Sequence, residues 1–126
     1  MKTNLNEVSK EVYEASKLKG FDVKNENLGQ TLCLIHSEIS EALEAVRKNR
    51  YANLSYFEID DKKFSDIVSF ESNFKTCIKD TFEDEIADTF IRLMDLVGAF
   101  DIDIDKHIEL KRKFNSLREF KHGKEF

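Results

Sequence analysis

The sequence predicts an all-α protein built as a four-helix-type bundle. Three observations carry that expectation. The 126 residues contain no proline and only four glycines, so the closely spaced turns that a sheet requires have little to be made from. Apolar residues, 40% of the chain against 36% charged, recur every three or four positions over long stretches, the period of a helix with one buried face. The length suits a single domain, residues 1–126, with one modest core.

The first helix is expected from about Asn4 to Lys19, where Leu5, Val8, Val12 and Ala15 recur at helical spacing and Gly20 supplies a stop. The second runs from about Asn27 to Asn49. Leu28, Leu32, Ile35, Ile39, Ala42, Leu43 and Val46 form its apolar arc, with His36, Ser40, Glu44 and Arg47 opposite. Residues 50–66, YANLSYFEIDDKKFSDI, follow no period and are expected as an irregular insertion, a loop with room for a short turn. The third helix starts somewhere between Ser65 and Thr76 and runs to about Phe100. The fourth begins near Asp103, a suitable N-cap, and ends near Glu119, leaving residues 119–126 as a basic tail. The third helix is apolar around most of its circumference. Such a helix is buried by its own bundle or by a second subunit, so a homodimer or homotetramer is expected.

No run approaches the roughly 20 apolar residues of a membrane span. The opening MKTNLNEVSKEVYEASK lacks the apolar middle of a signal peptide. A cytoplasmic protein without a membrane partner is the expectation. Cys33 and Cys77 fit no metal spacing and are expected as free, buried thiols. The net charge of −5 is uneven, with +4 over residues 106–126 and −9 over the rest. An acidic body with a basic end argues against a duplex nucleic acid partner, which calls for a broad basic face. It suits a small anionic ligand held between metal-loaded acids and a few cations, or simply a solvated C-terminus.

Residues 83–96, EDEIADTFIRLMDL, carry the first chemical signal. Ile86, Phe90, Leu93 and Val97 form one stripe, and Glu85, Asp88, Arg92 and Asp95 lie nearly opposite, at steps of 3, 4 and 3. Ile91 and Leu96 flank the acidic stripe, so it is not an ordinary wet face. Carboxylates crowded on a half-buried face repel one another and lose hydration, and they need a compensating charge. Arg92 offsets one, and a divalent cation offsets more. The second helix has a matching pair in LIHSEISEALEA, Glu38 and Glu41. If the two helices pack side by side, Glu38, Glu41, Glu85 and Asp88 converge. An all-oxygen set suits Mg²⁺, with Mn²⁺ as a substitute. Carboxylate-held Mg²⁺ takes its remaining ligands from water and phosphate, which points to phosphoryl chemistry. On the last helix, Lys111, Asn115 and Arg118 share one face. They are candidates for holding phosphate charge, the alternative being a solvated face.

Three pieces, LIHSEISEALEAVRKNR, DTFEDEIADTFIRLMDL and KRKFNSLREFKHGKEF, together resemble the MazG-like branch of the all-α nucleoside triphosphate pyrophosphatases. The Glu-x-x-Glu and Glu-x-x-Asp helices of that family map onto Glu38, Glu41, Glu85 and Asp88. The family often doubles the acid before the first pair, where this chain has Ser37, and the gap of residues 42–84 is longer than in compact members. The resemblance implies that the four acids bind Mg²⁺, which holds the triphosphate of an NTP or dNTP and activates water, giving a nucleoside monophosphate and pyrophosphate. It also implies a helical bundle that dimerises or assembles further. Glu41 is then the first candidate for general base, with Glu38 the other catalytic candidate. Lys111, Asn115 and Arg118 would steady the phosphates, with Lys121 and Lys124 behind them. Arg92 and Asp95 are expected to hold the polar seam together.

Other sites fit less well. A ferritin-like di-iron bundle needs two Glu-x-x-His motifs, and the only match is Glu119 to His122. DIDIDKHIELKR, residues 101–112, fails as a calcium loop at Lys106 and Arg112. The rival from another class is a non-catalytic helical interaction or regulatory module whose acids are merely exposed.

Overall fold

The computed structural model describes residues 4–63 and 66–118. Among them there is no strand. Six α-helices follow in chain order: α1 (Leu5–Leu18), α2 (Leu28–Arg47), α3 (Leu54–Lys63), α4 (Ile67–Cys77), α5 (Phe82–Ala99) and α6 (Ile104–Ser116). None of these helices is long and apolar enough to cross a membrane.

Two elements differ from the expectation. Residues 54–63, expected within a loop, are the helix α3. Its start is capped by Asn53, whose Oδ1 accepts from the Tyr56 N–H at 3.1 Å, but its apolar residues have no clean period, so the hydrophobic pattern hid it. The expected third helix is two, α4 and α5, parted at residues 78–81. There Phe74 O accepts from both Ile78 N and Lys79 N, at 2.9 Å each, and Asp80 takes a left-handed φ of 62°. Thr81 then caps α5, its hydroxyl accepting from Asp84 N at 3.3 Å, while the Asp84 carboxylate accepts from Asp80 N at 3.0 Å. This is close to a capping box. Its signature, Thr-x-x-Asp before an apolar run, is legible in DTFEDEIADTF.

A chain without proline needs another way to stop helices, and three of them use the same one. Gly20, Asn49 and Asp101 sit at φ 93°, 54° and 49°, each just past a helix end. After α1, Gly20 N donates to Lys17 O at 3.1 Å and Phe21 N to Ser16 O at 3.0 Å. After α2, Asn49 N donates to Val46 O at 3.0 Å and Arg50 N to Ala45 O at 2.8 Å. After α5, Asp101 N donates to Gly98 O at 3.3 Å and Ile102 N to Val97 O at 3.1 Å. These paired bonds are Schellman motifs, which satisfy the last carbonyls and turn the chain sharply.

The helices form two compact units. The first takes α1, α6 and the end of α5 from Met94; the second runs from Glu26 to Leu93. In the first unit the N-termini of α1 and α6 cap each other. The Asp105 carboxylate accepts from Leu5 N and Asn6 N, both at 3.2 Å, and Asn6 Oδ1 accepts from Asp105 N at 3.1 Å. Asp103 caps α6 as expected, accepting from Lys106 N at 3.2 Å. Gly98 on α5 lies against α1: a Cβ there would stand 2.7 Å from Tyr13 Cβ and closer still to the Ser9 carbonyl oxygen. Since the obstacle is backbone, Gly98→Ala is expected to cost roughly 1–3 kcal/mol by overpacking, read as a lower midpoint in urea unfolding.

In the second unit α3 packs on α4, with Phe57 meeting Phe70 edge-on at 5.8 Å and Phe70 stacked on Phe74 at 6.1 Å. Cys77 is buried, whereas Cys33 is exposed and so departs from the expected buried thiol. The buried stripe of α2 is Ile35, Glu38, Ala42 and Ala45. Leu32, Ile39 and Leu43, expected inside, are 46%, 52% and 52% exposed. On α5 the pattern is the same: Glu85 and Thr89 are buried while Phe90 and Leu93 are largely open. Within one chain Glu38 and Glu85 turn inward and much of the grease outward.

Candidate metal centre

The inward acids meet. Glu38 and Glu41 project from α2 one turn apart, and Glu85 from the first turn of α5. One carboxylate oxygen of each lies within 4.8 Å of the other two. Asp88, one turn further along α5, is half-buried and stands in the field of the same acids. A second trio, Asp80, Asp84 and Glu85, satisfies the same 4.8 Å criterion. It grows out of the α5 cap and was not anticipated from the sequence. Acidic groups crowd protein surfaces without any ion. What distinguishes this set is burial, since Glu38 and Glu85 retain only 7% and 6% of their exposure.

Burial and repulsion set the charges. Burial pushes Glu85 up to about 8, reinforced by sharing a proton with Glu38 and Glu41 and by the negative charge of Asp88. Burial also raises Asp88, as do Asp84 and Glu38, with Arg92 pulling the other way. Glu38 moves in the opposite direction. Burial alone would raise it, but the Arg92 hydrogen bond and the proton shared with Glu85 outweigh that, and it lies below the usual carboxylate range. At neutral pH and without metal, Glu85 therefore holds a proton while Glu38 is ionised.

Arg92 thus has a definite partner. Its Nε donates to Glu38 Oε1 at 2.7 Å, a half-buried ion pair between α5 and α2. Of the expected polar seam, Arg92 serves the acids of the second unit, and Asp95 follows three residues further along α5.

A hard divalent cation fits what remains. Glu85 Oε2 is buried and no described group donates to it. Its neighbours are other carboxylates, which at high pH can only repel it. An all-oxygen donor set of this kind matches Mg²⁺ or Mn²⁺ and offers nothing to a thiolate-seeking metal. Beside the cluster lies a cavity of about 210 Å³ bordered by Glu41, Glu85, Asp80, Lys48 and Arg50.

The other expected site residues belong to α6 and the stretch after it. Lys111, Asn115 and Arg118 lie on or just after α6, in the first unit. There Lys111 Nζ and Arg118 Cζ sit 5.3 and 5.8 Å from the centre of the Phe114 ring. Cation–π stacking on an exposed ring accounts for both without a ligand. Lys121 and Lys124 lie outside the described residues, as does the rest of the tail. Lys48 and Arg50, in the stretch VRKNRY at the end of the Glu-x-x-Glu helix, also border the cavity beside the acids and were not singled out from the sequence.

No protein-family model, no curated protein and no solved structure matches the chain. Function has to be argued from the side chains.

Proposed function

We propose that the protein is a Mg²⁺-dependent nucleoside triphosphate pyrophosphohydrolase of the MazG-like kind, converting an NTP or dNTP to the monophosphate and pyrophosphate. The observation that carries this is the meeting of Glu38, Glu41 and Glu85 from two helices around a buried carboxylate oxygen without a donor. Bound divalent cations would supply charge neutralisation for the phosphates and a lowered pKa for water. The chain's own residues do the rest. Arg92 keeps Glu38 ionised and fixes its orientation. Glu85 gives up its proton when cations load, and Asp88 extends the set along α5. Glu41, the exposed member of the trio, is the carboxylate that a substrate-side water can reach, and it takes the proton as the water oxygen bonds to the α-phosphorus. The bond from that phosphorus to the oxygen bridging towards the β-phosphorus breaks, and pyrophosphate leaves with the bridging oxygen.

The outward apolar residues of α2 and α5, Leu32, Ile39, Leu43, Phe90 and Leu93, support assembly into a homodimer or homotetramer, since that much exposed grease on two adjoining helices calls for a cover. The same stripes would serve a non-catalytic interaction module, which nothing about an acidic trio with two buried members favours. The test of function is a panel of ribo- and deoxynucleoside triphosphates with Mg²⁺, with and without EDTA, resolving mono- from diphosphate. Monophosphate formed only with Mg²⁺ supports the proposal. Diphosphate as the product, or no turnover on any member of the panel, counts against it.

A further inference from the structure

A triphosphate on this cluster needs cations for its far end, and the second unit holds them. Arg50 is pinned by its backbone between the two acid-bearing helices: its N–H donates to Ala45 O at 2.8 Å, closing α2, and its carbonyl accepts from Phe82 N at 2.9 Å, at the start of α5. The left-handed Asn49 beside it, φ 54°, makes the reversal that sets this position. The residue after such a turn is commonly apolar and packs back on its helix; here it is an arginine. Its side chain borders the cavity that Glu41 and Glu85 also border. No described residue forms an ion pair or hydrogen bond with its guanidinium, although Glu41 and Asp80 border the same space. Lys48, on the same cavity, is only loosely engaged, 3.4 Å from Glu44 on an exposed stretch. At about 210 Å³ the cavity is smaller than the roughly 300–1,000 Å³ of pockets that enclose a whole organic ligand. That is room for phosphate groups.

We propose that Arg50, with Lys48 beside it, forms a subsite for the pyrophosphate end of the substrate, next to the carboxylate cluster of α2 and α5. This rests on the function proposed above. The guanidinium offers a planar fork that matches phosphate oxygens, with its position set by the main chain before the ligand arrives. The acids around the cavity repel a bare anion, so the subsite fills only when divalent cations load the cluster. The nucleoside then extends away from this cavity, and attack at the α-phosphorus releases pyrophosphate on the Arg50 side.

Calorimetric titration of the full-length protein with inorganic pyrophosphate, with and without Mg²⁺, tests the subsite apart from turnover. The wild type should bind pyrophosphate only with Mg²⁺. Arg50→Ala should weaken that binding about tenfold or more, the scale of one lost charge-assisted hydrogen bond. Arg50→Lys should fall between, and nucleoside monophosphate binding should be unaffected. Because Arg50 is tied through its main chain, both variants should keep wild-type circular dichroism; if the alanine variant unfolds, the lysine variant decides. Equal pyrophosphate affinity in wild type and variants, an equal loss for the monophosphate, or no pyrophosphate binding by the wild type overturns the subsite. A wild type that makes monophosphate while Arg50→Ala binds pyrophosphate normally removes the subsite alone; a wild type without turnover removes the functional reading, and the titration still judges the subsite.

Discussion

Glu85→Gln is expected to abolish nucleotide hydrolysis, by at least about a hundredfold, and to leave the helices intact. The magnitude is a lower bound, because losing even an outer-shell partner of a metal ligand costs roughly 10–100-fold, and Glu85 is shared by both acidic trios. Glutamine keeps the shape and removes the charge. It fills the same buried space and keeps a donor there at a pH where Glu85 has lost its proton. In EDTA at about pH 8.5, where the wild-type Glu85 is being forced to ionise among other acids, the variant should be at least as stable as the wild type. Lost activity with retained or raised stability cannot come from unfolding. Asp88→Ala and Glu38→Ala should lose activity as well, but Glu38→Ala also strips Arg92 of its partner and should be the less stable of the two. Full activity in Glu85→Gln would remove the acidic trio from the chemistry.

Without metal, the protein is expected to lose stability as pH rises, and Mg²⁺ is expected to restore it. Glu85 has a folded-state pKa raised from 4.5 to about 8, and Asp88 is raised as well. A raised acid helps the folded state fully below its unfolded value, and that help disappears as pH climbs through the folded value. The window for Glu85 is therefore about pH 4.5 to 8. Glu38, lowered by Arg92, works in the other direction and only in acid. In EDTA the Tm should fall between about pH 6 and about pH 8.5. Mg²⁺ at a hundredfold its dissociation constant adds about 2.7 kcal/mol. Since it must displace a proton from Glu85, its affinity should rise over the same interval and its binding at neutral pH should release protons. A Tm in EDTA that climbs from about pH 6 to about pH 8.5, or a Mg²⁺ shift independent of pH, would contradict the charge state assigned to the cluster.

Much of this was legible in the sequence, and the misses have physical causes. The absence of proline and the helical period announced the fold class, and Gly20 and Asp103 marked a helix end and a start because each has one job that its chemistry suits. The two acid pairs were legible because carboxylates on otherwise apolar helices are costly without a partner. The direction they face was not. Hydrophobic spacing alone places Ile39, Leu43, Phe90 and Leu93 inside, yet in one chain they are open while Glu38 and Glu85 are buried. Periodicity tells which residues share a face, and not which face meets the rest of its own chain. The break between α4 and α5 was missed because neither proline nor glycine marks it, only a Thr-Asp cap. Spacing put Lys111, Asn115 and Arg118 on one face of α6, but it could not show that Lys111 and Arg118 lie against the Phe114 ring. Arg50 was passed over because its importance comes from a left-handed turn at Asn49 that spacing does not reveal.

The most direct measurement is hydrolysis of a nucleoside triphosphate with Mg²⁺ in ¹⁸O-labelled water, with the label located by ³¹P NMR. The expected result is one ¹⁸O in the monophosphate and none in the pyrophosphate, with Glu85→Gln inert. Label in the pyrophosphate, release of diphosphate with labelled phosphate, or a fully active Glu85→Gln would contradict a pyrophosphohydrolase built on the carboxylates of α2 and α5.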